Sequence, residues 1–227
     1  MIEAVVFDVG ETLTSDNRYW AAWADWLDVP RHTLSALVGA VVAQGRDNAD
    51  ALRLLKPGID LAAAYAAREE AGRGETLDES DLYPDVRPAL ASLRAAGFRV
   101  LVAGNQTVRA GELLRGLNLP VDALATSGDW GVAKPTPEFF TRVIALAGTA
   151  PDRIVYVGDH PANDIAPAAA GLRTAHLRRG PWGHLWVDTP EAAAADWHIE
   201  GLGDLLPLVS GHRTLTHHAA RSRTGRR

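Results

Sequence analysis

Cysteine is absent from this chain of 227 residues, and lysine is nearly absent. Without cysteine the protein forms no disulfide, has no thiol nucleophile and does not bind zinc through thiolates. The N-terminal stretch reaches Glu3 and Asp8 too early for a signal peptide, and no run of about 18 apolar residues is present to span a membrane. A net charge of −5 gives no global basic field for nucleic acid. These absences favour a cytoplasmic protein that binds neither nucleic acid nor membranes.

The chain does contain enough apolar sequence for a sizeable core, since 47% of its residues are hydrophobic. Short apolar runs alternate with amphipathic segments from residue 84 onward. This alternation predicts an α/β fold with a doubly wound parallel sheet. The predicted strands cover residues 5–7, 100–103, 121–125 and 154–157, with weaker candidates at 174–177 and 197–199. Asp85 can cap the helix that follows it, Thr136 and Pro137 predict a helix start, and a further helix is expected over residues 164–170.

Residues 16–83 interrupt the alternation with four helical segments and a polar linker. They predict an all-helical insert, in which Trp20 and Trp23 pack the insert onto itself. The α/β core is expected to comprise residues 1–15 and 84–209. Residues 210–227 are rich in Arg and His and contain no acid, which is typical of a solvated, disordered tail.

Polar side chains follow three of the predicted strands at their carboxyl ends. Asp8, Asn105 and Asp159 come directly after apolar runs, and parallel strands bring such ends to one edge of a sheet. Two converging carboxylates repel each other unless a cation lies between them. Hard oxygen ligands favour Mg²⁺. Asp164, five residues beyond Asp159, is either a further ligand, a support for the ligands, or an ordinary acid near a helix start.

Lys134 stands out in a chain that otherwise uses arginine, since Lys56 is the only other lysine. Pro135 favours an extended backbone before it, which presents the lysine from a stiff loop. A lysine retained here indicates a site that needs a compact point charge. Together with a carboxylate nucleophile at Asp8 and a hard cation, it suits displacement at phosphorus through an aspartyl-phosphate.

Four segments, taken in order, resemble the motifs of the haloacid dehalogenase (HAD) superfamily. Residues 7–13 resemble the first motif, Asp-x-Asp-x-Thr, and residues 100–105 resemble the second, a strand that ends in Ser or Thr. Residues 131–137 resemble the lysine motif, Lys-Pro-x-Pro. Residues 157–164 resemble the fourth, Gly-Asp-x-x-x-Asn-Asp, and the insert matches the C1 cap of that superfamily. The resemblance covers about residues 2–205.

The resemblance implies a role for each matching residue. Asp8 would be the nucleophile and a Mg²⁺ ligand, Asp159 a second ligand, and Asp164 a support for it. Lys134 would neutralise phosphoryl oxygens, and the Gly10 carbonyl would also coordinate the metal. Phosphate contacts are expected from Thr12, Gly104 and Asn105. The expected reaction is hydrolysis of a small phosphorylated metabolite by a monomer or homodimer.

Two positions depart from the family pattern. Gly10 replaces the second aspartate, the family's general acid and base, and Gly104 replaces the Ser or Thr of the second motif. Glu11 is a candidate substitute acid, although a neighbouring residue need not point the same way. A carbon–halogen or carbon–phosphorus hydrolase and a non-catalytic binding protein remain alternatives. Dehalogenases of the superfamily, however, use no Mg²⁺ and lack the fourth motif.

The insert offers candidates for substrate selection. Arg18 and Arg46, with Tyr19, lie near predicted helix ends of the insert and are predicted to contact the substrate. Plain solvent exposure is the alternative for each of them.

Overall fold

A parallel sheet forms the centre of the computed structural model, which describes residues 1–165 and 171–211. Within those residues the sheet has six strands in the order β3-β2-β1-β4-β5-β6, and every pair is parallel. The predicted doubly wound α/β fold is confirmed. The strands are β1 (Ala4–Phe7), β2 (Arg99–Gly104), β3 (Ala123–Thr126), β4 (Ile154–Gly158), β5 (Arg173–Leu177) and β6 (Trp197–Ile199).

The first strand is buried because both of its neighbours are strands. Val5, Val6 and Phe7 are 0% exposed, and β1 pairs with β2 on one side and β4 on the other. The strand order reverses between β1 and β4. In open α/β sheets this reversal opens a crevice at the carboxyl ends of the strands, where ligands bind.

Residues Asp16–Asp81 form one compact unit, and residues Met1–Ser15 with the chain from Leu82 onward form the other. The inserted unit is helical, as its 3.6-residue periodicity predicts. Its helices are α1 (Asn17–Leu27), α2 (Arg31–Ala43), α3 (Asp50–Leu55) and α4 (Leu61–Glu70).

The helices of the sheet-containing unit follow its strands along the chain. Their bounds are α5 (Val86–Ala95), α6 (Val108–Gly116), α7 (Ser127–Trp130), α8 (Pro137–Ala147), α9 (Gly180–Leu185) and α10 (Pro190–Ala193). As predicted, α8 begins with Thr136 as N-cap and proline in the first turn. No helix in the part of the chain that the structure describes is long and apolar enough to cross a membrane.

Two local predictions differ from the structure. Asp85 precedes α5 but makes no side-chain capping bond; its Oδ2 accepts a hydrogen bond from the Leu202 N–H at 2.9 Å and pairs with Arg179. The helix expected from Asp164 begins instead as a π-helical turn over Pro161–Ile165, and residues 166–170 lie outside the described range. The predicted tail lies outside it from residue 212 onward.

Candidate active site

Three carboxylates converge at the carboxyl edge of the sheet. Asp8 follows β1, Asp159 follows β4, and Asp164 lies in the π-helical turn beyond. One oxygen from each lies within 4.8 Å of the other two, and all three residues are buried. Asp159 is 1% exposed, and its Oδ2 is buried with no hydrogen-bond partner among the described residues. Like charges this close, with an oxygen left unsatisfied, form a donor set that suits a hard divalent cation.

The electrostatics of the cluster reflect this crowding. Burial, followed by the charges of Asp164 and Asp8, raises the pKa of Asp159 well above its ordinary value. Burial likewise raises the pKa of Asp8 to about 6, against the opposing charge of Lys134. The cluster as it stands therefore holds more negative charge than one lysine neutralises.

Lys134 bridges two of the three carboxylates. Its Nζ lies 2.6 Å from Asp8 Oδ1 and 2.6 Å from Asp164 Oδ1, and its side chain is 3% exposed. Burial alone would lower the pKa of the ammonium group, but Asp164 and Asp8 raise it well above its usual value. Asp164 is fully engaged, because its Oδ2 accepts the His160 N–H at 2.9 Å. Asp159 is left as the carboxylate without an ion pair to the lysine.

Asn105 holds the backbone of the lysine loop. Its Oδ1 accepts the Lys134 N–H at 2.7 Å, and its Nδ2 donates to the Lys134 carbonyl at 3.0 Å. Below the loop, the Lys134 ammonium lies 5.5 Å from the centroid of the Tyr156 ring, whose hydroxyl donates to the Ala103 carbonyl at 2.6 Å. The predicted phosphate-binding amide thus fixes the position of the lysine.

Gly104 closes β2 directly beside the candidate nucleophile. A Cβ at this position would lie 2.7 Å from Asp8 Oδ1 and 3.0 Å from Val9 Cγ2. Real Cβ atoms do not approach so closely, so a side chain here would displace Asp8. The departure from the Ser or Thr of the second motif therefore matches the local packing of this chain.

The turn after Asp8 is stabilised by its own backbone and by residues far along the sequence. The N–H groups of Thr12, Leu13 and Thr14 all donate to the Val9 carbonyl, at 3.2, 2.8 and 3.0 Å. Thr12 is fully buried, and its hydroxyl has no hydrogen-bond partner in the described structure. Its carbonyl accepts from Arg179 Nη1 at 2.8 Å. The turn is therefore anchored to the loop between β5 and α9.

Glu11 is buried and has a φ of 54°, in the left-handed region. Its Oε2 accepts a hydrogen bond from the Tyr83 hydroxyl at 2.5 Å, and burial, then this bond, raises the pKa of Tyr83. The Tyr83 ring lies 4.2 Å from the Arg179 guanidinium carbon. Gly180 leaves room for Glu11, since a Cβ there would be 2.5 Å from Glu11 Cβ. The charge of Glu11 also contributes to the raised pKa of Asp159.

Arg18 and Arg46 belong to the inserted unit, where both are engaged in ion pairs. Arg18 Nη1 lies 2.6 Å from Asp78 Oδ2, and its Nη2 pairs with Asp81. Arg46 Nε lies 2.9 Å from Asp50 Oδ2, one helical turn along the chain. Both side chains are 40% exposed.

Sequence reasoning did not find Tyr83, Arg179 or Gly180. Tyr83 is the last residue of the predicted insert, and the other two follow a weakly predicted strand. The sequence carries no signal that these residues meet Glu11, because they are distant in the chain and follow no periodic pattern.

A model of the haloacid dehalogenase-like hydrolases matches residues 2–171. The chain is 36% identical over 131 residues to a glyceraldehyde 3-phosphate phosphatase of Methanopyrus kandleri, covering 56% of each chain. It is 31% identical over 167 residues to a phosphoserine phosphatase of Thermus thermophilus, covering 62% of this chain and 66% of that one. The matches thus span less than two thirds of these relatives.

A solved structure gives a longer match. The 2-haloacid dehalogenase of Pseudomonas syringae aligns with a TM-score of 0.55 at 27% identity, covering 93% of this chain and 99% of that one. Proteins named as phosphatases and as a dehalogenase are therefore both similar to this chain, and the chemistry has to be argued from the site.

Proposed function

The chain belongs to the haloacid dehalogenase-like hydrolases, and on that premise we propose that it is a Mg²⁺-dependent phosphatase of a small phosphorylated metabolite. The observation that carries the proposal is the cluster of Asp8, Asp159 and Asp164 with Lys134 at the β1–β4 reversal. A carbon–halogen hydrolase needs one nucleophilic carboxylate and no cation. The second buried carboxylate with an unsatisfied oxygen favours the metal-assisted reaction instead.

The metal would be held by Asp8 and Asp159, with the Gly10 carbonyl as a third protein ligand. Asp164 acts on the site by holding Lys134, since both of its oxygens are engaged. Mg²⁺, when bound, supplies a positive charge that neutralises the phosphoryl oxygens. Thr12, Asn105 and the backbone at Gly104 are the proposed phosphate contacts on the protein side.

The protein's own groups carry the two steps. An Asp8 oxygen attacks phosphorus, a new oxygen–phosphorus bond forms, and the bond to the leaving alcohol breaks. Water then attacks the aspartyl-phosphate and gives up a proton to the group that protonated the alcohol; phosphate leaves, and the Asp8 carboxylate is restored. Lys134 contacts Asp8 directly and balances charge during both steps.

The leaving alcohol needs a proton, which Gly10 does not supply. Glu11 is the proposed replacement, because it is buried next to Gly10 in this turn and its Oε2 lies 2.5 Å from the Tyr83 hydroxyl, with which it can exchange a proton. General acid help contributes roughly 10²–10⁴-fold in enzymes. An enzyme whose acid is Glu11, and not an aspartate at position 10, would therefore favour esters whose leaving groups need little protonation.

A panel of phosphate esters, assayed with Mg²⁺ and with a chelator, tests the proposal. We expect phosphate release that requires the metal and disappears in Asp8→Asn. Asp152→Asn is the matched control, because Asp152 is an exposed acid in the turn before β4. Halide release from a haloacid without added metal, or ligand-induced stabilisation with no turnover of any ester, would contradict the phosphatase assignment.

A further inference from the structure

A histidine contacts the main chain of the candidate metal ligand Asp159. His176 belongs to β5 and pairs with Gly158 as the last pair of the β4–β5 ladder. The residue is 1% exposed, and its Nε2 lies 3.2 Å from the main-chain oxygen of Asp159. A carbonyl oxygen only accepts hydrogen bonds, so Nε2 carries a proton and donates it to this bond. The side chain therefore ties β4 to β5 one residue beyond their last ladder pair.

The other ring nitrogen of His176 makes no hydrogen bond. Nδ1 is buried and has no partner in residues 1–165 and 171–211. A buried polar atom without a partner destabilises the fold. An apolar side chain would avoid this cost, as the buried Ala175 and Leu177 do on either side. Packing alone therefore does not explain a histidine at this position, whereas the bond from Nε2 to Asp159 does.

The carboxylate of Asp159 relies on its main chain for its position. Lys134 holds the carboxylates of Asp8 and Asp164 through ion pairs of 2.6 Å, and it forms no such pair with Asp159. The Oδ2 atom of Asp159 is buried and lacks a hydrogen-bond partner in the described part of the chain. The place of this carboxylate in the cluster therefore follows from the backbone that carries it, and His176 is bonded to that backbone directly.

We propose that His176 is a positioning residue for the metal site, whose Nε2–H holds the Asp159 main chain and so keeps the Asp159 carboxylate in the cluster with Asp8 and Asp164. This inference rests on the Mg²⁺ site of the function proposed above. Residues that orient metal ligands change metal affinity by about 10- to 100-fold, because a ligand already in place does not have to be ordered when the ion binds. His176 acts through Asp159, and we assign it no contact with the substrate.

Two substitutions separate the Nε2 bond from the rest of the side chain. In His176→Gln the amide N–H stands as far from the backbone as Nε2 does and can donate to the Asp159 carbonyl. In His176→Asn it stands at the distance of Nδ1 and falls short of the carbonyl. Both variants are polar, and both lose the ring. We expect His176→Asn to raise the Kd for Mg²⁺ about 10- to 100-fold and His176→Gln to keep a Kd close to that of the native protein.

The melting temperature, measured against Mg²⁺ concentration without substrate, gives the Kd of each protein. His198→Gln is the matched control, because His198 pairs with His176 on the next strand, with ring centroids 5.9 Å apart, and is exposed. It should bind Mg²⁺ as the native protein does. Hydrolysis of p-nitrophenyl phosphate gives a second measurement. In His176→Asn, activation should require more Mg²⁺, and kcat should recover when Mg²⁺ is saturating.

A purely structural role for His176 predicts a different result. Both variants would then melt at a lower temperature in chelator while the Kd for Mg²⁺ stayed unchanged, and that outcome overturns the inference, as does a Kd raised equally in both. If His176→Asn does not fold, His176→Leu replaces it and should show the same rise in Kd.

Failure of the phosphatase assignment can be told apart from failure of this inference. The expected order of Kd values without hydrolysis of any ester supports the role of His176 and refutes only the phosphatase. Metal-dependent hydrolysis with the same Kd in all variants refutes only the role of His176. A native protein that Mg²⁺ does not stabilise refutes both.

Discussion

Replacing Asp159 by Asn should make the metal-free protein more stable and remove its stabilisation by Mg²⁺. Lys134 pairs with Asp8 and Asp164, which leaves the buried Asp159 without an ion pair to the lysine. Burial, then the charges of Asp164 and Asp8, raises its pKa well above 3.8. An acid with a higher pKa in the folded than in the unfolded chain lowers stability as the pH rises above its unfolded value. The advantage of the variant should therefore appear above about pH 4 and grow toward neutral pH.

The magnitude follows from the spacing of the oxygens. Two unit charges within 4.8 Å of each other repel by at least about 3.5 kcal/mol at an effective dielectric constant of about 20. Asp159 faces two such carboxylates, and Lys134 offsets part of the repulsion. We expect a net gain of about 2 kcal/mol, which for a chain of this length raises the melting temperature by about 4–8 °C. Mg²⁺ at about a hundredfold excess over its Kd should stabilise the native protein by about 2.7 kcal/mol and the variant by none.

Thermal unfolding between pH 5 and pH 8, with a chelator and with increasing Mg²⁺, measures both effects. Asp152→Asn removes one negative charge from the exposed turn before β4 and should change neither quantity. A metal-free Asp159→Asn protein that melts at or below the native temperature at pH 8 would refute the argument from charge crowding. An undiminished response to Mg²⁺ would refute the assignment of Asp159 as a ligand.

Three further substitutions test the chemistry. Gly10→Asp should raise kcat/KM for alkyl phosphates more than for p-nitrophenyl phosphate, because alkoxide leaving groups need a proton most. The turn can accept the new side chain, since the positive φ lies at Glu11 and not at Gly10. A folded variant without any gain argues against a missing acid, and adding Asp8→Asn should abolish the gain. Tyr83→Phe removes the hydrogen bond to Glu11 and should lower kcat for alkyl esters about tenfold, whereas equal losses for p-nitrophenyl phosphate would contradict the role of Glu11. Gly104→Ala places a Cβ 2.7 Å from Asp8 Oδ1 and should lower kcat about 10²-fold with normal circular dichroism; unchanged turnover would show that Asp8 tolerates displacement.

The central strands of the sheet could be predicted from the sequence, because each is a short apolar run with a polar residue after it. That pattern is local, and it predicted β1, β2 and β4 together with Asp8 and Asp159 at their ends. Pro135 also predicted a stiff loop that presents Lys134. In the structure the Lys134 side chain is buried between Asp8 and Asp164.

Contacts between distant residues were beyond sequence reasoning. The pairing of Asn105 with the Lys134 backbone joins side chain to main chain 29 residues apart, and the bond from Tyr83 to Glu11 spans 72 residues. Neither follows from periodicity or from a turn signal. At Asp85 the sequence instead predicted a contact that does not form. The residue is suited to capping α5, but its side chain binds Arg179 and the Leu202 N–H.

The way the chain leaves and re-enters the sheet-containing unit has a consequence for how such proteins diversify. Thr14 and Leu82 form an antiparallel bridge, and the Tyr83 N–H donates to the Leu13 carbonyl at 3.0 Å. Backbone hydrogen bonds thus hold together the two chain segments that flank the insert. Loop-closure entropy grows only logarithmically with length, by about 0.6 kcal/mol for each doubling. Lengthening, shortening or exchanging the segment between those ends therefore costs the sheet-containing unit little stability, and the junction can accept segments of different length.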